Sequence, residues 1–526
     1  MTSILKYLNR ALLVLLLAAF AACSDNEGGN ESNGNGDDGN TETPADGDTY
    51  GYIKDTNGNP VEGVVVSDGY SCTATDAEGR YALTRNADAG FVFYSLPSAY
   101  KVSVDKTYKL PRFFARLQAG TARYDFTLEA LAAPEKRFDL ICIGDPQINE
   151  ASHAVRFKEE AGREIREYAA SAGVPCYGIT LGDHVNNKWT LSTNMVVALQ
   201  PEQTGVPVFA TIGNHDHEFP TADEKAARAK YESYFGPVDY SFNRGDVHVV
   251  SMDNVIHSCK ASADYEGGFT AAQYAWLKQD LSFVPKDKMV ILCVHIPFRG
   301  GWGTNSAHAD ADKYYDEVLD LLSQYEYAAI MSAHTHSNIN YIHRKNGKEI
   351  FEHVTGTTCG AWWRSTVCTE GTPIGFGLYR IDGNRMEEWA YRSVRHDEQF
   401  QIRLYRASDT FVGGAKYRFK QTGADQIVAN IWNWDPSWTV NVYENDVLSG
   451  QMTRNSDIDA WTVAYHIGLL NNTDSYRKSS DHMFHYTLKN PAAAVRVEAI
   501  DRFGNKYEQT VFTDPAEHPG DFHADF

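Results

Sequence analysis

The stretch Phe138-Asp139-Leu140-Ile141-Cys142-Ile143-Gly144-Asp145-Pro146-Gln147 joins an apolar run of strand length to a turn carrying a carboxylate and an amide. The same arrangement returns along the chain. Tyr177-Leu181 precedes Gly182-Asp183-His184, and Val206-Ile212 precedes Gly213-Asn214-His215-Asp216. Met289-Val294 leads into His295-Ile296-Pro297, and Ala328-Ser332 into Ala333-His334-Thr335-His336. Val247-Met252 is a further run, and helical stretches lie between them at Ala154-Ala170, Ala222-Tyr234, Thr270-Leu281 and Ala311-Leu322. Strands alternating with helices predict an α/β domain whose sheets are covered by helices, over about residues 136–395. In such folds ligands collect beyond the carboxyl ends of strands, and each polar cluster falls there.

Outward from this block the rhythm changes. Residues 49–131 read as short alternating strands split by turns, at Tyr50-Ile53, Asn57-Gly58-Asn59-Pro60, Val61-Val66 and Ala74-Thr84, which predicts a small antiparallel β-sandwich. Residues 401–526 alternate again, at Ala415-Lys420, Gln426-Ile431, Thr439-Tyr443, Ala494-Ala499 and Tyr507-Phe512, and predict a second β-rich domain of sandwich type. Three folded blocks suit 526 residues at about 150 residues per domain.

The first 23 residues differ from all of these. Lys6 and Arg10 precede the apolar run Ala11-Ala22, too short to span a bilayer and of the length of a signal-peptide core. It ends in Phe20-Ala21-Ala22-Cys23, which resembles a bacterial lipoprotein signal; an ordinary cleaved secretory signal is the alternative. Residues 24–48 hold eight acidic side chains and no aromatic or basic one, so they predict a flexible acidic tether. The expected location is extracytoplasmic, periplasmic or cell-surface, with a membrane anchor through lipid on Cys23.

Composition narrows the function classes. Lys plus Arg number 48 against 69 Asp plus Glu, a net charge of -21, so a nucleic-acid scaffold is not an expected partner. No CxxC pair occurs among the cysteines, which argues against a zinc knuckle or thioredoxin-type site. Cys142 and Cys293 read as buried thiols, whereas Cys359 and Cys368 are candidates for a pair in an oxidising compartment.

The five motifs supply Asp145, Gln147, Asp183, Asn214, His295, His334 and His336, all oxygen or imidazole donors. Carboxylate, amide and imidazole together suit Mn, Fe, Zn or a similar divalent ion. Seven donors exceed what one ion takes, and a carboxylate can bridge two.

In order and spacing these motifs resemble the calcineurin-like metallophosphoesterases. The pattern Gly51-x-Ile53, Gly58-x-Pro60, Gly63-Val64-x-Val66 and Thr75-Asp76-x-x-Gly79-x-Tyr81 resembles a transthyretin-like domain. All three blocks together look like a bacterial subfamily with that domain in front and a dedicated C-terminal domain marked by Ile431-Trp432-Asn433-Trp434-Asp435-Pro436-Ser437-Trp438. The resemblance implies a β-sandwich catalytic core flanked by helices and a cofactor of two divalent metal ions, Mn, Fe, Zn or Mg. It implies Asp145, Gln147 and His336 on one metal, Asn214, His295 and His334 on the other, and Asp183 bridging. His215 would be the catalytic general acid, with Asp216 orienting its imidazole. The expected enzyme is a hydrolase, a phosphatase or phosphodiesterase acting on a small-molecule or headgroup phosphate ester through a metal-bridging hydroxide. Two departures stand out: Gln147 replaces a common His, and Ala333 replaces a Gly. The alternative function is a non-catalytic surface lipoprotein that binds carbohydrate or a phosphorylated ligand.

Several residues admit two readings. His184 and His217 either line the pocket or pack beside it, and Asp253 and Asn254 either edge the pocket or cap a helix. Trp362-Trp363 forms either a packed corner or an apolar wall for a leaving group, and Arg299 serves either the phosphate or only its own loop. His153, His248, His343 and His485 read as structural.

Overall fold

A computed structural model describes residues 47–261, 263–299, 313–408, 425–472 and 478–510. The signal segment and most of the tether, the loop from Gly300 and the run Ala415-Lys420 lie outside the described residues.

Two facing sheets form the central block. In the first, the strands Val208–Thr211, Cys176–Leu181 and Arg137–Ile143 run parallel, and Gly375–Asp382 and Arg385–Ser393 continue it antiparallel. In the second, Val247–Ser251, Met289–Cys293, Tyr327–Ser332 and Lys348–Val354 are parallel, with Tyr240–Arg244 and Ile339–Lys345 as antiparallel edges. Side chains alternate along a strand. Leu140, Cys142, Ile179 and Leu181 therefore point at Val249, Ile291 and Met331 of the other sheet, in one core. Ile141, Ile143, Val208 and Ala210 point the other way, onto Ala154, Phe157, Ile165, Met195 and Leu199 of covering helices. Both faces are buried, so these strands read as unbroken apolar runs rather than as an alternating pattern.

The stretch Ala154-Ala170 is helical throughout Ala151–Ser171, with a π-helical turn at Lys158–Gly162. The helix Glu224–Phe235 starts under the Asp223 side chain, which accepts from the Ala226 amide. The helix Ala271–Asp280 starts in a Thr270–Gln273 capping box.

Residues 49–128 form two small sheets. One orders Arg80–Leu83, Thr49–Asp55 and Phe126–Leu128; the other orders Cys72–Ala74, Val65–Ser67, Phe91–Tyr94 and Phe114–Arg116. Their core is continuous with the central one. Phe113 packs on Tyr240 at 4.7 Å between ring centres, and Trp276 Nε1 donates to Ser67 Oγ at 3.0 Å. The C-terminal part has two four-stranded sheets. One is Arg403–Arg406, Gln426–Asn430, Ser479–Thr487 and Thr453–Ile458; the other is Val447–Gln451, Thr439–Glu444, Val495–Ile500 and Lys506–Thr510. They enclose a core of Leu404, Ile427, Val440, Val442 and Val497.

All seven described cysteines are free thiols. The candidate pair Cys359 and Cys368 is not bonded: both are buried, each about 3.6 Å from Thr357 Oγ1.

Candidate metal centre

Every motif sits just past the carboxyl end of a parallel strand, on one edge of the two facing sheets. Asp145 and Gln147 follow Arg137–Ile143, and Asp183 follows Cys176–Leu181. Asn214 and His215 follow Val208–Thr211, His295 follows Met289–Cys293, and His334 and His336 follow Tyr327–Ser332. Two sheets packed face to face bring these five loops together.

The loops are held in costly backbone conformations. Asp145, Gln147, Asp183, His334 and His336 have φ of 37°, 36°, 54°, 63° and 55°. Each non-glycine residue in this region costs roughly 1–2 kcal/mol, so surrounding contacts must fix them, as is common at functional sites. Gly182 makes the approach possible: a Cβ there would stand 2.5 Å from His295 Nδ1. At Gly213 a Cβ would stand 2.3 Å from Asp183 Oδ1.

Asp183 is central and 1% exposed. Its Oδ1 accepts from the His215 backbone amide at 2.8 Å, and its Oδ2 lies 3.3 Å from Gln147 Nε2 and 3.4 Å from His295 Nε2. Ligand atoms of Asp183, His295 and His334 lie within 4.8 Å of one another. Nε2 of His295 is 3.0 Å from Asn214 Oδ1 and 3.1 Å from His334 Nδ1. On the other side His336 Nε2 is 3.5 Å from Asp145 Oδ1, and Asp145 Oδ2 accepts from the His334 amide at 3.0 Å. Thus all seven predicted ligands meet in one cluster.

Their supports fix which atom faces inward. His295 Nδ1 donates to the Leu181 carbonyl at 2.7 Å, which leaves Nε2 toward the cluster. Asn254 Oδ1 accepts from the amides of His295 and Ile296, and its Nδ2 donates to the Ile296 carbonyl. The Tyr265 hydroxyl lies 3.2 Å from His334 Nε2, so that ring turns Nδ1 inward.

The electrostatics are those of a cation cradle. Burial pushes the Asp145 carboxyl up to about 8, against the pull of His295. Burial also works against the Asp183 charge, but His295 and then His215 hold it well below the usual carboxylate range. For His295 burial favours the neutral ring, and Asp183 overrides it and carries the imidazole up to about 9. Burial pushes His336 down to about 3, so it is a neutral donor. Asp145 Oδ1, Gln147 Oε1 and His336 Nδ1 are buried without a hydrogen-bond partner. An unpartnered buried polar atom costs about 1–3 kcal/mol, and Asp145 Oδ1 and Gln147 Oε1 are donors that a hard divalent cation would use. The residues therefore fit a metal centre.

His215 is partly exposed at the cluster's rim, with Nε2 3.9 Å from Asp183 Oδ2. Its orientation corrects one expectation. Nδ1 of His215 donates to Asn187 Oδ1 at 2.8 Å, not to Asp216. Asp216 closes the short turn Asn214–Asp216, which points its carboxylate back at the Gly213 amide, 3.0 Å, and at His184, 2.9 Å from both its amide and Nδ1. His184 and His217 are buried beside the site rather than lining it. The first lies between Asp216 and Thr180, the second between the Gly213 carbonyl and Asp253. Asp253 and Asn254 are buried and support loops, Asp253 beside His217 and Asn254 under the His295 amide. Trp363 is a packed corner donating to the Pro146 carbonyl, whereas Trp362 is half-buried against the His336 ring. The Arg299 guanidinium lies over the Tyr341 ring. Asn254 stands just after the run Val247-Met252, the same kind of place as the motifs, whereas Asn187 and Tyr265 carry no sequence signal.

The family model described as calcineurin-like phosphoesterase matches residues 125–338, and the models for the N-terminal and C-terminal parts of calcineurin-like phosphoesterase match 48–131 and 352–507. Purple acid phosphatase 23 of Arabidopsis thaliana is 26% identical over 181 residues, covering 31% of this chain and 36% of that protein. Purple acid phosphatase 18 of the same plant is 24% identical over 182 residues, 32% and 38% of the two chains. The chain thus spans a little over a third of the length of these curated relatives. The 5'-nucleotidase of Candida albicans SC5314 is 13% identical, covers 50% of this chain and 52% of its own, and superposes with a TM-score of 0.31. The chain carries the N-terminal, catalytic and C-terminal domains of the calcineurin-like phosphoesterases.

Proposed function

We propose that this protein is a phosphoesterase holding two divalent metal ions, which hydrolyses a phosphomonoester or phosphodiester. Asp145, Gln147 and His336 would hold one ion, and Asn214, His295 and His334 the other, with Asp183 shared. The carrying observation is the position of Asp183, whose Oδ2 faces Gln147 on one side and His295 on the other. When bound, divalent ions supply activation of water and neutralisation of phosphoryl charge.

The chain's own residues do the rest. His215 is the proton donor to the leaving-group oxygen, since its Nε2 faces the cluster rim while Asn187 holds Nδ1. Asp183 fixes the His215 backbone through its amide. The half-buried ring of Trp362, against His336, offers an apolar surface to a leaving group. An acidic protein can still attract a phosphate here, because two divalent ions outweigh the two carboxylates that hold them.

Asp183→Asn tests this. The variant should lose at least one ion per chain by elemental analysis, and its turnover of nitrophenyl phosphate esters should fall to background. Retention of both ions and of full turnover would sink the two-metal assignment. The location we propose, extracytoplasmic and lipid-anchored, rests on Lys6, Arg10 and the Ala11-Ala22 run before Cys23. Cys23→Ser should release the protein from the membrane fraction; unchanged fractionation would contradict it.

A further inference from the structure

The turn Ala333-His334-Thr335-His336-Ser337-Asn338 carries two proposed ligands with left-handed backbone, at His334 and His336. Such a turn relaxes unless its neighbours over-determine it. Part of the restraint comes from the catalytic domain. The Ala333 amide donates to the His295 carbonyl, and Asn338 Oδ1 accepts from the Gly356 amide and lies 2.8 Å from His353 Nε2.

A further part comes from the C-terminal domain. Lys478 Nζ donates to the Thr335 carbonyl at 2.6 Å and to Ser337 Oγ at 2.8 Å. Asn338 Nδ2 donates to the Trp432 carbonyl at 2.8 Å, and Asn340 Nδ2 to the Asn433 carbonyl at 2.8 Å. The aromatic motif around Trp432 thereby has a use in this fold. Asp435 braces it by accepting from Ser437 and from Arg502 Nε, and it presents carbonyls to the segment that leaves the metal centre.

We propose that Lys478 is a positioning residue of the metal centre. It ties Thr335 and Ser337 and so holds the backbone that aims His334 and His336 at Asp145 and Asp183. The inference rests on reading that cluster as a metal centre. It makes the C-terminal domain a working part of the site rather than an appended module.

The sign of one measurement decides it. A cation near a metal centre repels the metal, so if Lys478 acted mainly through its charge, removing it would tighten metal binding. If it acts through its hydrogen bonds, removal loosens a supporting contact, which typically costs 10- to 100-fold in metal affinity. In the full chain, stripped of metal, Lys478→Met should weaken Mn and Zn binding by about 10- to 100-fold in competition with a chromophoric chelator. Both ions should be affected, because His334 and His336 are divided between them. Circular dichroism of the stripped variant should match the wild type. Should Lys478→Met fail to fold, Ser337→Ala removes one acceptor of the same tie and should weaken both ions in the same direction by less. Where both variants fold, the Ser337→Ala effect should largely vanish in the Lys478→Met background. Unchanged or tighter binding in either single variant, or fully additive losses, would overturn the inference. A raised KM with wild-type metal affinity would also overturn it and point to direct contact between Lys478 and substrate. A wild type that takes up no ion overturns the metal-centre reading itself, and this inference with it.

Discussion

The side-chain oxygen of Asn187 lies 2.8 Å from Nδ1 of His215. That contact sets which ring nitrogen faces the cluster, and it leaves Asp216 free to brace the turn. Loss of a general acid costs about 10²–10⁴-fold. His215→Asn should therefore lower kcat strongly on esters with poor leaving groups and much less on nitrophenyl esters, which hardly need a proton. Asn187→Ala should show the same leaving-group pattern with a smaller loss. Asp216→Asn should instead destabilise the fold by about 1–3 kcal/mol, through unsatisfied partners at Gly213 and His184. Rates measured on both ester classes, with thermal melts, separate these outcomes. Equal losses on both classes would contradict the acid role of His215.

Gln147 makes the two halves of the cluster unequal. Its amide oxygen is a neutral, hard donor, and the Asp145 side then has one imidazole, His336, against two on the Asn214 side, His295 and His334. Imidazole binds borderline metals better than an amide does. Mild chelation should empty the Asp145 side first, and Gln147→His should slow that loss and shift preference toward Zn. Metal content followed through a chelator titration checks it. Equal depletion of both ions, unchanged in the variant, would show that Gln147 does not tune the site.

Proton release gives a test that needs no substrate. In the metal-free protein the Asp145 carboxyl is raised to about 8 and the His295 ring to about 9. Both groups hold a proton below these values, and a cation must displace it. Metal affinity should therefore rise with pH between about 7 and 9, and uptake at pH 7 should release protons. Calorimetric titrations in two buffers of different ionisation enthalpy should give different heats. Identical heats, or affinity independent of pH, would contradict the assigned environment of these two residues.

The outline of this site was readable because its strands are buried on both faces. Leu140 to Ile143 and Val290 to Cys293 read as solid apolar runs, and whatever polar residue follows such a run stands out. Asp145, Asp183, His295 and His336 did so. The side-chain direction of Asp216 was not readable, because it depends on the short turn Asn214–Asp216 folding back on Gly213. Asn254 and Tyr265 act across 42 and 69 positions of sequence, and no local pattern records a partner that distant. The same holds for Lys478, whose acceptors on Thr335 and Ser337 belong to another domain. The free thiols of Cys359 and Cys368 show the limit of spacing as a guide, since nearness in sequence did not set the geometry of a bond.

Metal dependence is tested most directly by one titration. Wild-type protein is stripped with chelator, freed of it, and reloaded with Mn, Fe, Zn or Mg while hydrolysis of nitrophenyl phosphate mono- and diesters is followed. Turnover should vanish with the metal and return as ion is restored, reaching its plateau at about two ions per chain. Full turnover by the metal-free protein, or none with any of these ions, would contradict it.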